Sequence, residues 1–172
     1  MHSSRWLLVP AATVLATPAY AVSYLSVADA QKLMFPGETL EPAPVTLTDE
    51  QVARIQQAAG VAVTGRELHA WKAPNGGWFI VDEVIGKHEA IGFALALKAD
   101  GSVKAVEVLD YREAYGWEIR NEKWRRQFIG KTASDPVLLD KDIRNISGAT
   151  LSSRHLTEGV KRLLATYAVV LK

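Results

Sequence analysis

The stretch 90-AIGFALALKADGSVKAVEVL-109 decides the fold. Asp100-Gly101 at its centre is a hairpin signal, because glycine takes the positive φ that tight turns between twisted strands require. Ala90 to Lys98 leads in and Ser102 to Leu109 leads out. On the incoming arm Phe93, Leu95 and Leu97 alternate with smaller residues, the period of a strand with one buried face. On the outgoing arm Val103, Val106 and Val108 continue that pattern less regularly. Upstream, Leu68 to Lys72 and Trp78 to Ile85 are β-rich and flank the turn Pro74-Asn75-Gly76-Gly77. The centre of the chain is therefore read as an antiparallel meander.

Helical signals surround it. Ser26 can cap a helix over Val27 to Met34 that stops at Phe35-Pro36-Gly37. Glu38 to Pro44 carries two prolines and reads as a loop. Thr48 and Gln51 form a capping box, Val52, Ile55 and Ala58 or Ala59 form an apolar face, and Gly60 ends the helix. Beyond the hairpin, Asp110 to Trp117 is a loop rich in aromatic rings. Asn121 then caps a helix in which Trp124 and Phe128 share a buried face, ended by Gly130. Lys131 to Asn145 reads as an irregular connection. From about Ser153 the spacing of Leu156, Val160, Leu163, Leu164, Tyr167 and Leu171 is that of a helix with one buried stripe. Helices, meander, helices is the order of an α+β fold, with helices packed on an antiparallel sheet.

The first residues are read apart. Arg5 is a short positive region, Trp6 to Leu15 is apolar but broken by Pro10, and Ala19-Tyr20-Ala21 is a small-x-small cleavage site. Residues 1–21 are expected to be a secretory signal peptide, since a spanning helix needs roughly 20 apolar residues. No twin-Arg pair is present, so export of an unfolded chain is expected, with any cofactor loaded outside the cytoplasm. The expected location is periplasmic or otherwise extracytosolic. Residues 22–65 form an N-terminal helical segment and 66–172 the main domain, with 22–172 expected as one compact unit.

Composition narrows the chemistry. The chain has no cysteine, which leaves no disulfide, thiolate-held iron–sulfur cluster, haem-attachment motif or lipid-modified cysteine. Twenty Lys and Arg against 19 Asp and Glu give a net charge of +1, without the basic footprint of a nucleic-acid binder. His69 and His155 have no partner at metal-ligand spacing, and nothing marks a general base or oxyanion site beside the serines. No catalytic residue and no metal are expected.

One short stretch asks for a function: 145-NISGATLSS-153. Hydroxyls before an apolar helix are usually caps. One suffices, yet Ser147, Thr150, Ser152 and Ser153 all crowd this helix start, with Gly148 removing bulk between them. The excess points to backbone left open to a ligand. Free N–H groups and the helix dipole suit an anion such as phosphate.

The run Ser147-Gly148-Ala149-Thr150-Leu151-Ser152-Ser153 resembles the flavinylation motif of the FMN-binding domain family, which includes the flavin subunits of sodium-pumping NADH:quinone reductase and of Rnf-type complexes. The resemblance extends from about Ala90 to the end. It implies that Thr150 carries FMN covalently through a phosphoester, made by a separate Mg²⁺-dependent FAD:protein FMN transferase. It also implies an electron carrier between redox donor and acceptor proteins, some of them membrane-bound, with peripheral association to such a complex. Relatives often have Glu-Thr-Pro-Gly where this chain has Glu113-Ala114-Tyr115-Gly116, and an Asp six residues before the Thr where it has Arg144. Asp142, two residues further back, is the nearest substitute. The residues assigned to the cofactor are Thr150 and its motif neighbours Ser147, Gly148, Ala149, Leu151, Ser152 and Ser153. Glu113, Tyr115, Gly116 and Trp117 join them as ring-contact candidates, with His88 as a lone imidazole that approaches the flavin.

The same residues have plainer readings. Tyr115 and Trp117 can fold onto the core, Glu113 can be a surface carboxylate, and Lys123, Arg125 and Arg126 read first as a solvated face. Two other functions compete with the carrier. One is an exported binding module of the same fold that never receives a flavin; the other is a flavin reductase with its own substrate pocket.

Overall fold

The computed structural model describes residues 24–172; the expected signal peptide lies outside them. Helix α1 (Val27–Met34) is followed by two short strands, β1 (Glu41–Pro42) and β2 (Val45–Thr46), then α2 (Asp49–Ala59). The meander is β3 (Glu67–Lys72), β4 (Trp78–Ile85), β5 (Ala90–Leu97) and β6 (Val103–Tyr111). A 3₁₀ turn (Trp117–Arg120), α3 (Glu122–Arg125) and a second 3₁₀ turn (Arg126–Phe128) come next. The long helix α4 (Thr150–Thr166) ends in a π-helical segment, Tyr167–Leu171. The sheet order is β1-β3-β4-β5-β6, with β2 also on β3, and every pairing is antiparallel. This is the α+β fold expected.

Local signals act where the sequence places them. Ser26 Oγ accepts from Asp29 N at the start of α1. Thr48 and Gln51 form the reciprocal capping box of α2, which ends at Gly60 with φ 65°. Two differences are informative. Glu41–Pro42 and Val45–Thr46, in or beside the expected loop, pair with the outer strand β3 and extend the sheet's edge. Asp110 and Tyr111, expected in a loop, belong to β6.

The irregular outgoing arm of the hairpin has a simple cause. The register runs Ala96↔Ala105 then Leu97↔Val103, and Gly92↔Asp110 then Phe93↔Val108. Lys104 and Leu109 are thus the extra residues of two bulges, each of which resets the alternation. Val103, Val106, Val108 and Tyr111 consequently share one face and one core. Against them lie Phe93, Leu95 and Leu97 of β5 and the α4 stripe Leu156, Val160, Leu163 and Leu164. Burying each such side chain stabilises by about 1.5–3 kcal/mol. Trp124 and Phe128 close the same core edge-to-face, ring centroids 5.4 Å apart.

The other sheet face is lined by small residues. Ala94 and Ala96 let α1 approach, and Ala30, Met34 and Phe35 pack there with Phe79 and Leu109. Helix α2 packs Ile55 and Ala59 on Ala165 near the end of α4. Arg125 is not on a solvated face. It is buried, its Nε donates to Val106 O at 2.8 Å and its guanidinium pairs with Glu107 at 2.6 Å, occupying the outer edge of β6.

Helix α4 begins at Thr150, three residues earlier than its apolar pattern suggests. Its N-cap is Ala149, and no side chain caps it. Hydroxyl capping therefore does not account for the serines and threonine of this stretch.

Candidate functional site

Three segments meet above the sheet: the β4–β5 turn (86–89), the loop after β6 (112–117) and the start of α4. Each junction has a specific contact. Glu113 Oε1 accepts from the backbone N–H groups of His88 and Glu89. Partial burial pushes its carboxyl up, but the N–H donors of Glu89, His88 and Lys87 outweigh that and hold it below the usual glutamate value. His155, five residues into α4, places Nδ1 3.0 Å from Gly86 O. A carbonyl only accepts, so Nδ1 carries the proton. Tyr111 OH donates to Tyr115 O and lies 3.0 Å from Ser152 Oγ. Burial raises the Tyr111 phenol; the Ser152 contact opposes this, and the carboxylates of Glu113 and Glu118 add to it.

Gly116 shows how tightly the loop is drawn in. Its φ is 93°, and a Cβ there would lie 2.6 Å from both Ser152 Oγ and Tyr111 OH. Gly148 is different. Its φ is 86° but nothing lies within 4 Å of a Cβ, so glycine is needed there for conformation rather than space.

The motif residues divide in two. Ala149, Ser152 and Ser153 are buried, whereas Ser147, Gly148, Thr150 and Leu151 are exposed. Ser153 Oγ donates to Ala149 O at 2.9 Å and lies equally close to Asn145 Oδ1, fixing the loop to the helix. The loop is also tied to the α3 region, where Trp124 Nε1 donates to Arg144 O at 2.6 Å and Arg144 N to Gln127 Oε1 at 2.9 Å. Thr150 thus stands in the first helical turn, on an anchored loop, with its side chain in solvent. The first N–H bond of the helix is Ser153 N to Ala149 O, so the N–H groups of the turn before it have no intrahelical partner.

Asp142 does not serve the site. Its carboxylate accepts from Val137 N at 3.1 Å and Leu138 N at 2.8 Å and pairs with Lys131 at 3.0 Å. It braces a connection in which Val137 and Asp140 have positive φ. Arg144 is exposed. His88 is exposed, and its backbone N–H donates to Glu113. The imidazole that sequence reasoning missed is His155. Its signal was position: four residues after Leu151, it lies on the same helix face.

The three converging segments carry several exposed apolar residues, alongside exposed charged ones such as Lys87, Arg112 and Arg154. Tyr115 is 84% exposed, Trp117 59%, Ile85 58% and Leu151 42%. They account for half of the eight large apolar residues exposed among the described residues. All four belong to, or directly adjoin, the three converging segments. An exposed hydroxyl, an uncapped helix start and exposed aromatic side chains on the neighbouring loop fit a group with an anionic end and a flat apolar body. Among the described residues, no cluster of His, Cys, Asp and Glu could hold a metal ion, and no helix is long and apolar enough to cross a membrane.

Residues 86–165 match the family model described as FMN-binding domain. The match opens at the β4–β5 turn and ends inside α4, taking in all three segments of the site. No curated protein matches the sequence.

Proposed function

We propose, for a chain whose residues 86–165 belong to the FMN-binding domain family, that FMN is joined by a phosphoester to Thr150 and that the exported protein carries electrons between redox partners. The chain is a flavoprotein and FMN its cofactor; the linkage, the export and the carrier role are the proposal. The observation that carries it is the exposed Thr150 hydroxyl in an uncapped first turn, inside a Ser-Gly-Ala-Thr sequence. A hydroxyl sealed in the core would have ruled it out.

The residues have separable tasks. The open N–H groups of the first turn of α4 face the phosphate oxygens, and the helix dipole favours the remaining negative charge by about 0.3–1 kcal/mol. Ser153 and Asn145 hold the loop so that Thr150 projects. Glu113 fixes the β4–β5 turn, and Ser152 fixes the loop after β6 through Tyr111. When bound, the isoalloxazine supplies the redox chemistry, while the protein supplies orientation and local electrostatics. A covalent tether prevents loss of the cofactor into a large extracytosolic volume.

Attachment by a Mg²⁺-dependent FAD:protein FMN transferase balances simply. The Thr150 oxygen bonds to the FMN-side phosphorus of FAD, the pyrophosphate bond breaks, AMP leaves, and the Thr150 proton is released. Mass spectrometry of protein exported from a host with that transferase should find one FMN less one water on the peptide containing Thr150. It should find a mature N-terminus at Val22. Thr150→Ala should lack the adduct. A Thr150→Ala protein that stays yellow after denaturation would refute the site.

A further inference from the structure

An open groove of about 530 Å³ lies between α3 and the loop that leads into α4. Asn121, Lys123, Trp124 and Gln127 line it on one side, Arg144 and Asn145 on the other. The lining holds two cations and no carboxylate. The groove is joined to the start of α4 by a direct contact, since Asn145 Oδ1 lies 2.9 Å from Ser153 Oγ.

The donor inventory of the groove is one-sided. Each of its three side-chain carbonyls already accepts a backbone N–H: Asn121 Oδ1 from Lys123 at 2.9 Å, Asn145 Oδ1 from Ile146 at 2.8 Å and Gln127 Oε1 from Arg144 at 2.9 Å. An N–H only donates, so these contacts also fix which end of each amide is oxygen. Asn121 and Asn145 keep their NH₂ groups for an outside acceptor. Gln127 Nε2 is used on Trp124 O at 3.0 Å, and Trp124 Nε1 on Arg144 O at 2.6 Å. Both backbone polar groups of Arg144 are thereby clamped to the α3 region, which holds this residue across the groove from Lys123. Neither cation has an ion-pair partner among the described residues. The neighbouring acids are engaged elsewhere, Glu122 with Arg126 at 2.6 Å and Asp142 with Lys131 at 3.0 Å. Arg125 is spent on Glu107, so of the basic run in α3 only Lys123 serves the groove.

Two unpaired cations and two amide NH₂ groups are a receptor for carboxylates. The backbone N–H groups of Lys123, Trp124, Arg144 and Ile146 all have partners within the chain, and Lys123 and Arg144 are exposed. A lone ion would therefore be held only by side-chain charges that salt screens. Several carboxylates on one protein surface add their attractions over the groove and steer the encounter.

We propose that this groove docks the acidic surface of a protein partner beside the start of α4. The donor set carries the inference, which does not require modification of Thr150. That the partner is an electron donor or acceptor rests on the carrier reading. Small, transient interfaces of this kind are usual in electron-transfer encounters.

The test uses the ¹⁵N-labelled, exported protein. Its intact mass reports separately on Thr150, so a missing adduct counts against the carrier reading and not against the groove. A synthetic peptide of alternating Glu and Gly, added at roughly 0.01 M salt where charges act over about 30 Å, should shift the side-chain N–H signals of Asn121, Asn145 and Arg144. Lys123→Glu and Arg144→Glu should each raise the peptide's Kd about fivefold or more. Lys98→Glu, an equal change in net charge at the exposed far end of the β5–β6 hairpin, should leave it unchanged. An equal loss in Lys98→Glu, peptide shifts confined to other surfaces, or inorganic phosphate that binds the groove as tightly as the peptide would overturn the inference. So would phosphatidylglycerol vesicles that bind the parent and not Arg144→Glu, because the groove would then face a membrane.

Discussion

Replacing Gly159 by alanine sets two effects of known size against each other. Gly159 lies in the middle of α4, where alanine is favoured over glycine by about 1 kcal/mol. Its missing side chain, however, faces the sheet. A Cβ there would lie 2.8 Å from Val84 Cγ1 and 2.9 and 3.1 Å from Phe93 Cζ and Cε1. Ordinary carbon contacts sit at about 3.5–4.0 Å, so the helix or the ring must move by roughly 0.5–1 Å. Phe93 is fully buried and Val84 nearly so, which leaves the ring nowhere to swing. Lifting α4 would loosen Leu156, Val160 and Leu163 from the same core. Overpacking of this kind costs about 1–3 kcal/mol and should outweigh the helical gain. The expected result is a net destabilisation of about 1 kcal/mol, a fall in Tm of about 2–4 °C for a chain of this size. Urea unfolding should show a lower midpoint at unchanged slope. Val84→Ala in the Gly159→Ala background should cost less than Val84→Ala alone, because the two share the clash. A Gly159→Ala protein as stable as its parent, or more so, would refute the close seating of α4 on the sheet.

Three further outcomes follow from the contacts of the site and from the ion pair between α4 and β4. Tyr111→Phe removes the hydroxyl that holds Tyr115 O and Ser152 Oγ; it should destabilise by about 1–2 kcal/mol and speed amide exchange in residues 112–117, and unchanged exchange there would contradict the latch. Asp82→Ala removes the carboxylate paired with the buried Arg162 guanidinium at 2.7 Å and should cost about 3 kcal/mol, measurable as a lower urea midpoint; a neutral outcome would show that the ion pair does not hold α4 to β4. Glu113 has a folded pKa below its unfolded value, so its contribution is present above the ordinary glutamate range and is lost as pH falls through the folded value. Stability should therefore decline with acid less steeply in Glu113→Gln than in the parent, and parallel pH curves for the two proteins would exclude this role.

Much of the fold is legible because it is set locally. The Ser26 cap, the Thr48–Gln51 box, the Asp100-Gly101 turn and the bounds of β4 each depend on residues a few positions apart. What escapes sequence reading depends on distant partners. The bulges at Lys104 and Leu109 exist because the outgoing arm must stay in register with β5, and they hide Tyr111 as a strand residue. The start of α4 is obscured because its cap is an alanine and its hydroxyls point elsewhere. Arg125 resembles its exposed neighbours until the edge of β6 is placed beside it. The stretch around Thr150 stands out in the sequence by its composition, whereas His155 is marked only by its spacing from Leu151. Its importance comes from Gly86, 69 residues away in sequence and one hydrogen bond away in space.

The solvent-facing position of Thr150 has a bearing on the order of events in the life of the chain. Its helix is secured from within by the Ser153 hydroxyl on Ala149 O and by the fully buried Leu156, so the oxygen proposed as acceptor is displayed by a folded structure and not by an opened one. A transferase of the kind proposed would need a target on the native surface, and Thr150 offers one without any local unfolding.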